Sequence, residues 1–478
     1  MDAENKLVMS QRRQTLILLN VCVGQFIVGL DQRALLVALP TLTQTFNTSL
    51  TTIQWVLLIY DLTLIGLVIT VGRLGDLFGR RRFYAGGFLF FVLASALCGA
   101  AQSAGQIILF RGLQAMGGAM ISANGRAIAS VAFPSSQRGK AMGFASMAFH
   151  IGFLTGPTLG GFLIDTVGWR WIFYLNLPVG IWGAYLAWKL LEESKEKIEG
   201  ISVDFPGAIL LMIAYSLFLY AMNQLPHVGW KDPTVVQTMA LSAAAFALFV
   251  FVELRARMPI LSFSLFRNRL FTASMFSLFF ITSTQSAISF LMPFYLQSIL
   301  HFSPSQMGWI IIAGSVVIVI FAPVAGWLSD RVGSRLLCTV GSGLIVIAQF
   351  FIASLGLDSS IPRIIFPLML SGLGWAFFNS PNQSAILGSV PRDKLGTASG
   401  MNTTTARTGG AMGVALSATL FTYGLTAAGL SSLQIESPVS WGASPEIFIR
   451  SFNHTVHIVN FFTLLSVFFS IVKGSRQE

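Results

Sequence analysis

Gly72-Arg73-Leu74-Gly75-Asp76-Leu77-Phe78-Gly79-Arg80-Arg81 is a short, charged, glycine-rich stretch between two long apolar runs. Two spans of opposite direction need a tight connection there, and glycine permits positive φ and close backbone approach. The arginines at 80–82 cannot enter hydrocarbon cheaply, which fixes the turn at a membrane surface. A weaker copy follows at Gly326-Trp327-Leu328-Ser329-Asp330-Arg331-Val332-Gly333-Ser334-Arg335. Gly72, Asp76, Gly79 and Arg81 return 254 residues later as Gly326, Asp330, Gly333 and Arg335. Four matches in register point to a duplicated membrane protein.

Composition agrees. Hydrophobic residues make up 54% of the 478-residue chain and charged residues 10%, against about 25% charged in an ordinary soluble domain. The first apolar run follows Lys6, Arg12 and Arg13 in the manner of a signal peptide, but it continues past Pro40 without a small-residue cleavage site. It reads as a retained first span. Cys22, Cys98 and Cys338 all lie in apolar runs, with neither disulfide nor metal spacing, and read as small core residues.

A span needs about 20 apolar residues to cross a ~30 Å core. Fourteen runs meet that need: 15–38, 51–72, 82–103, 106–130, 140–163, 171–190, 205–223, 235–254, 270–298, 307–328, 336–356, 362–388, 397–428 and 451–472. Even parity puts both termini on one side. With the termini in the cytoplasm, 22 Lys and Arg fall on inside segments and four outside (Arg170, Lys231, Arg363 and Arg450). This asymmetry sets the orientation and accounts for the net charge of +11 without nucleic acid. A second match, Gly139, Gly143, Gly152 and Gly156 with Gly396, Gly400, Gly409 and Gly413, has an offset of 257. Six spans therefore match six. The expected division is a six-helix bundle over 1–190, two inserted helices with linkers over 191–269, and a second six-helix bundle over 270–478. Parallel repeats of this kind are a transporter architecture with the substrate site near mid-membrane between the halves.

The remaining basic residues, Arg33, Arg111, Arg126 and Arg407, lie inside predicted spans, and Asp31 and Asp61 are the comparably embedded acids. Charge in that setting is costly unless it is paired or serves a pathway. Asp31 and Arg33 are two residues apart, about 200° around a helix, so they cannot form a simple pair. Gln25, Gly29, Gln32 and Arg33 share a stripe; Arg33 either contacts ligand, snorkels outward or packs. Asp61, with Tyr60 beside it, is either a protonatable cavity carboxylate or a hydrogen-bonded packing residue. Arg111, Gln114, Gly118, Ser122 and Arg126 form one face of span 4, where helix packing explains the glycines but not Arg111. Span 5 carries Gly152, Gly156, Pro157, Gly160 and Gly161, a pattern for a bent, closely packed hinge or seal, or for packing alone. The second half offers Gln285, Gln297, Trp375, Asn379, Asn382, Gln383, Asn402 and Arg407 but no embedded acid. Proton chemistry is expected in the first half, with hydrogen bonds and aromatic surface from the second.

These motifs together resemble the major facilitator superfamily, in particular its fourteen-span drug:H+ antiporter branch. The turn at 72–81 looks like its loop between spans 2 and 3, and Arg111 to Ala119 looks like its span-4 motif. Gly152 to Gly161 is similar to the span-5 antiporter motif. Leu30-Asp31 with Ala38-Leu39-Pro40, and Trp169-Arg170-Trp171-Ile172-Phe173 with Asn176-Leu177-Pro178, resemble further branch motifs. The resemblance implies an all-α integral membrane fold and a proton-coupled multidrug exporter of a bacterial inner membrane. It implies proton coupling by Arg111 with Asp31 or Asp61, and a cytoplasmic gate of Gly72, Asp76, Gly79, Arg80, Arg81, Asp330 and Arg335. The expected substrate cavity comprises Gln25, Arg33, Tyr60, Gln114, Gln285, Trp375, Asn379, Asn382 and Arg407. Ala115, Arg33 and the lack of a second-half counterpart to Pro157 (Val414 stands there) depart from the pattern. The surplus of embedded arginine favours an anionic, zwitterionic or neutral substrate over a lipophilic cation. A dedicated exporter of a metabolite, lipid or siderophore-like compound is the alternative, and a non-transporting membrane sensor a weaker one. Expected partners are protons, a small molecule and the bilayer, acting on a monomer without cofactor, metal or nucleic acid. No nucleophile–base set, metal-ligand spacing or phosphate loop points to an enzyme or to ATP drive.

Overall fold

The computed structural model describes residues 11–133, 138–192, 205–255, 263–390, 395–430 and 445–473, and it is helical almost throughout. The first half contains α1 (Gln11–Thr45), α2 (Leu50–Ile53), α3 (Trp55–Phe78), α4 (Arg80–Ala100), α5 (Ala104–Ala132), α6 (Arg138–Thr166), α7 (Trp171–Tyr174) and α8 (Asn176–Leu190). Next come α9 (Phe205–Val228) and α10 (Pro233–Arg255). The second half contains α11 (Arg269–Phe294), α12 (Pro304–Val332), α13 (Ser334–Ile352), α14 (Ile361–Gly388), α15 (Leu395–Ala427) and α16 (Pro445–Val472).

Helix covers each of the fourteen predicted runs. Among the described residues, however, eleven helices rather than fourteen are long and apolar enough to cross a membrane. Three runs fall short. Helix α5 carries Arg111 and several amides, the run at 171–190 breaks between α7 and α8, and only Ile209–Met222 of α9 is apolar helix. Bulky apolar side chains such as Leu89, Leu93, Trp309 and Phe366 point outward, while polar groups including Asn20, Ser95 and Thr463 are buried. That inversion of the soluble pattern is what a lipid surround selects, because polar groups must then be satisfied inside the protein.

The duplication is visible in local geometry. Gly79 ends α3 with φ 105° and donates its N–H to Gly75 at 3.0 Å. Gly333 ends α12 with φ 83° and donates to Ser329 at 3.0 Å. In both places the next helix starts at once, which a side chain at positive φ would strain. Ser49 and Ser303, also 254 apart, each cap a helix by accepting the N–H three residues on. Ser103 and Ser360 precede α5 and α14 at an offset of 257. The three-residue shift therefore falls between these points, where α13 is shorter than α4 and its following loop is longer.

Helix pairs pack through small residues. A Cβ on Gly156 would lie 2.8 Å from Arg33 Cβ, and one on Gly160 would lie 2.8 Å from the Ala34 carbonyl, so α6 rides directly on α1. Gly409 and Gly413, the repeat partners of Gly152 and Gly156, bring α15 onto α11 in the same way. Such close approach supports helix association where lipid supplies no hydrophobic drive. Helix α6 runs unbroken through Pro157. Helix α9 packs on α3 and α15. Tyr215 Oη donates to the Thr408 carbonyl at 3.2 Å, and Thr419 Oγ1 donates to the Met222 carbonyl at 2.9 Å.

Candidate functional site

Asp31 sits in α1, 1% exposed, and is held by three side chains from two other helices. Arg111 Nη1 of α5 lies 2.5 Å from its Oδ2. Gln114 Nε2, one turn along α5, and Asn176 Nδ2, at the start of α8, each donate to Oδ1 at 3.0 Å. The same two amides also donate to Ser95 Oγ at 3.0 Å, and Ser95 donates to the Phe173 carbonyl. Arg111 is 1% exposed, donates to Gln114 Oε1 and to the Val56 carbonyl, and places its guanidinium 4.3 Å from the Tyr60 ring centroid. A buried ion pair survives only with such additional hydrogen bonds. In the sequence Arg111 and Gln114 share one helix face, but nothing there chooses Asp31 over Asp61 as their partner. Asn176 and Ser95 were not identified as site residues, because an asparagine at a helix start and a serine in an apolar run look like caps and packing.

Asp61, one residue beyond Tyr60, faces the other way. Its Oδ1 accepts from Arg407 Nη1 of α15 at 2.9 Å and from Gln32 Nε2 of α1 at 3.1 Å. The pair joins the two halves and is partly open, with side-chain exposures of 18% for Arg407 and 29% for Asp61. Tyr60 and Asp61 thus place the buried pair and the cross-half pair on successive residues of α3.

A cavity of about 90 Å³ lies between the halves, lined by Arg33, Phe153, Gln285, Ser289, Ser315 and Ser371 among others. Arg33 does not reach Asp31. Its guanidinium stacks 4.1 Å from the Phe153 ring centroid, and no hydrogen bond or ion pair engages it among the described residues. Ser371 Oγ donates to Gln285 Oε1 at 3.0 Å. Gln285 is the repeat position of Asp31 (offset 254), and Leu368 and Ser371 are those of Arg111 and Gln114 (offset 257). The contact between Asp31 and Gln114 is therefore repeated, without charge, on the cavity wall.

The other expected cavity residues are dispersed. Gln25 is buried beside Gly125 inside the first half, and Tyr60 and Gln114 belong to the Asp31 cluster. Trp375 packs with Phe378, and Asn379 lies near it on α14, partly buried. Asn382 is buried, donates to the Ser274 carbonyl and accepts from Lys473 Nζ at 2.5 Å. Lys473 also reaches Cys338 Sγ at 3.3 Å and is 1% exposed, although it lies just past the last predicted run. Glu253, 2% exposed near the end of α10, is a third embedded acid, at the edge of the predicted run 235–254.

At the repeated turns, Arg80 reaches the Ala127 carbonyl at 3.5 Å and Arg81 stacks over Trp188, both inside the first half. Gly72 faces Ala123, and Arg335 is exposed. The side chains of Asp76, Arg126 and Asp330 lie outside the described residues. Contacts between the halves occur at the opposite end. Gly161 meets the Pro304 backbone, Gly308 meets Pro157 and Thr158, and the Ser305 N–H donates to Asp165 Oδ2 at 2.8 Å.

Comparison with known proteins places this geometry. The chain is 32% identical over 415 residues (87% of this chain, 90% of the relative) to the riboflavin transporter RibZ of Clostridioides difficile. It is 31% identical, over 94% of this chain and 83% of the relative, to the multidrug resistance protein Stp of Mycobacterium tuberculosis. It is 29% identical, over 84% and 74%, to the tetracenomycin C resistance and export protein of Streptomyces glaucescens. Among solved structures, a bacterial homolog of the human lysosomal transporter Spinster aligns over 97% of both chains with a TM-score of 0.72 at 15% identity, a likeness of fold. Residues 21–414 match the model of the Major Facilitator Superfamily, and with these relatives the match shows that the chain belongs to that family of membrane transporters.

Proposed function

We propose that the protein is a fourteen-span, proton-coupled exporter of small molecules that works by alternating access. The observation that carries the reading is a pair of ionic sites that meet at adjacent residues of α3: Asp31 with Arg111 inside one half, packed on Tyr60, and Asp61 with Arg407 between halves. An embedded carboxylate that bridges two mobile bundles is a natural proton switch. Protonation of Asp61 removes its charge attraction to Arg407 and frees the halves to part at that point. Asp31 and Arg111 provide a second carboxylate whose charge is matched by the adjacent cation. Similarity to proteins named for multidrug resistance and for tetracenomycin C export supports outward transport of diverse substrates.

In this reading residues 1–190 and 270–478 are the moving bundles, and 191–269 carry an inserted pair that follows α3 and α15. Both termini lie in the cytoplasm of a bacterial cell, the protein is a monomer in the inner membrane, and the turn at 72–81 with its copy at 326–335 gates the cytoplasmic side. A second reading, a dedicated exporter of an anionic or zwitterionic metabolite, is favoured by Arg33 in the cavity and by similarity to a protein named for a single vitamin.

The test is transport into or out of proteoliposomes under an imposed pH gradient, with a mixed panel of substrates. Substrate-driven proton movement is expected in the wild type and lost in Asp31→Asn with Asp61→Asn. Proton movement that persists in that double variant overturns the coupling assignment.

A further inference from the structure

Three guanidiniums with described side chains are embedded near the middle of the halves, at positions 33, 111 and 407. Two carboxylates face them. Asp31 neutralises Arg111 and Asp61 neutralises Arg407, which leaves one positive charge over. That charge belongs to Arg33, which lines the cavity between the halves, stacks on the face of Phe153 and feels Asp61 only as an attraction from beyond ion-pair contact, since Asp61 is engaged by Arg407. A cation–π contact is a weak substitute for an anion. An embedded charge without a counter-ion is costly, and such residues mark ligand pathways.

The facing wall completes the site. Gln285 Oε1 accepts from Ser371, which fixes the amide and leaves Nε2 as a donor. Ser289 and Ser315 add hydroxyls on the same lining. The repeat relationship shows what has been changed there. Asp31, Arg111 and Gln114 in the first half correspond to Gln285, Leu368 and Ser371 in the second, all three of which line the cavity. The positions that hold an internal ion pair in one half thus present a neutral donor surface in the other, opposite an arginine with no ion-pair partner in contact among the described residues.

We propose that this cavity binds the anionic group of an amphipathic organic anion, with Arg33 as its counter-ion and the Gln285 amide as its hydrogen-bond donor. The inference rests on the transporter reading and names the substrate class of that site. Phe153 and the aliphatic residues of α11, α12 and α14 take the apolar body. At about 90 Å³ the cavity holds only the charged end, since pockets for drug-sized ligands span about 300–1,000 Å³. Separation of α6 from α12 would make room for the remainder.

The experiment measures equilibrium binding to the purified full-length protein in detergent, by tryptophan fluorescence, of three matched probes: 2-naphthoate, 2-naphthamide and 2-naphthylmethylammonium. The carboxylate is expected to bind more tightly than either analogue. Arg33→Gln should weaken it by about 10- to 100-fold, the range for a hydrogen bond to a charged group, while changing amide binding by less than about threefold. Arg33→Lys should retain part of the preference, and Gln285→Ala, which leaves Arg33 in place, should weaken the carboxylate to a smaller degree. Equal or weaker binding of the carboxylate by the wild type, or a preference untouched by Arg33→Gln, overturns the proposal. Binding is measured without a pH gradient, so failure of proton coupling alone leaves the anion preference intact and is recognised separately.

Discussion

Asp61 of α3 and Arg407 of α15 lie 346 residues apart in the chain and 2.9 Å apart in space, so one ion pair ties the first half to the second. Its partial exposure limits its strength, because water and salt screen an open pair. A double-mutant cycle with Asp61→Asn and Arg407→Gln should give a coupling of about 1 kcal/mol in detergent unfolding measurements. Both single variants should slow substrate-driven proton movement, since each leaves a charge unmatched. Strict additivity in the cycle would show that the contact does not act as a pair.

The buried pair behaves differently. Removing Arg111 alone leaves Asp31 buried without its counter-ion, which costs about 3–5 kcal/mol. The second half supplies its own neutral version of the same site in Gln285 and Leu368. Arg111→Leu is therefore expected to lower the unfolding midpoint strongly, and Asp31→Gln with Arg111→Leu to recover most of the loss. Proton-coupled transport should not recover with it. A double variant that stays as unstable as Arg111→Leu would mean that the pair is not the source of the instability.

Much of this was legible in the residues. The repeat at 72–81 and 326–335, the charge placement and the spacing of Arg111 with Gln114 depend on helix geometry and on the cost of charge in lipid, both local properties. Asp31 and Asp61 stood out because carboxylates in apolar runs are rare. Their partners did not. Nothing in the sequence pairs Asp61 with Arg407, since that contact depends on how two bundles face each other. Asn382 looked like a cavity amide and is instead held by Lys473, a residue near the chain end that folds back under α13 and α14. The same gap left Arg33 open between snorkelling and ligand contact; only the position of α6 and Phe153 directs it to the cavity.

The paired turns allow a clean backbone test. Gly79 and Gly333 adopt positive φ with extended ψ, a region essentially closed to other residues. Nothing lies within 4 Å of a Cβ built on Gly333, so Gly333→Ala isolates backbone strain from crowding. It should cost about 1–3 kcal/mol. Gly343 lies mid-helix in α13, also with open space around it, and Gly343→Ala should be neutral or slightly stabilising. Thermal unfolding of the two variants distinguishes them, and equal midpoints would count against strain at the turn.

The small-residue contacts separate folding from motion. Gly160 packs within the first half, where a methyl group would press on the Ala34 backbone and side chain. Gly161, the next residue, packs across the halves against the Pro304 carbonyl. Gly160→Ala should therefore destabilise the protein by about 1–3 kcal/mol, the usual cost of overpacking. Gly161→Ala has an escape: the halves can part at that end and remove the clash without disturbing either bundle. It should leave the unfolding midpoint close to wild type and shift the population toward a state open beside Pro304. A cysteine at Ser305, on the same contact, reports this through its rate of labelling by a membrane-impermeant maleimide, after Cys22, Cys98 and Cys338 are replaced. The rate should rise in Gly161→Ala and not in Gly160→Ala. Equal labelling in the two would mean that α6 and α12 do not separate there, and that the contact is fixed packing rather than a moving seal.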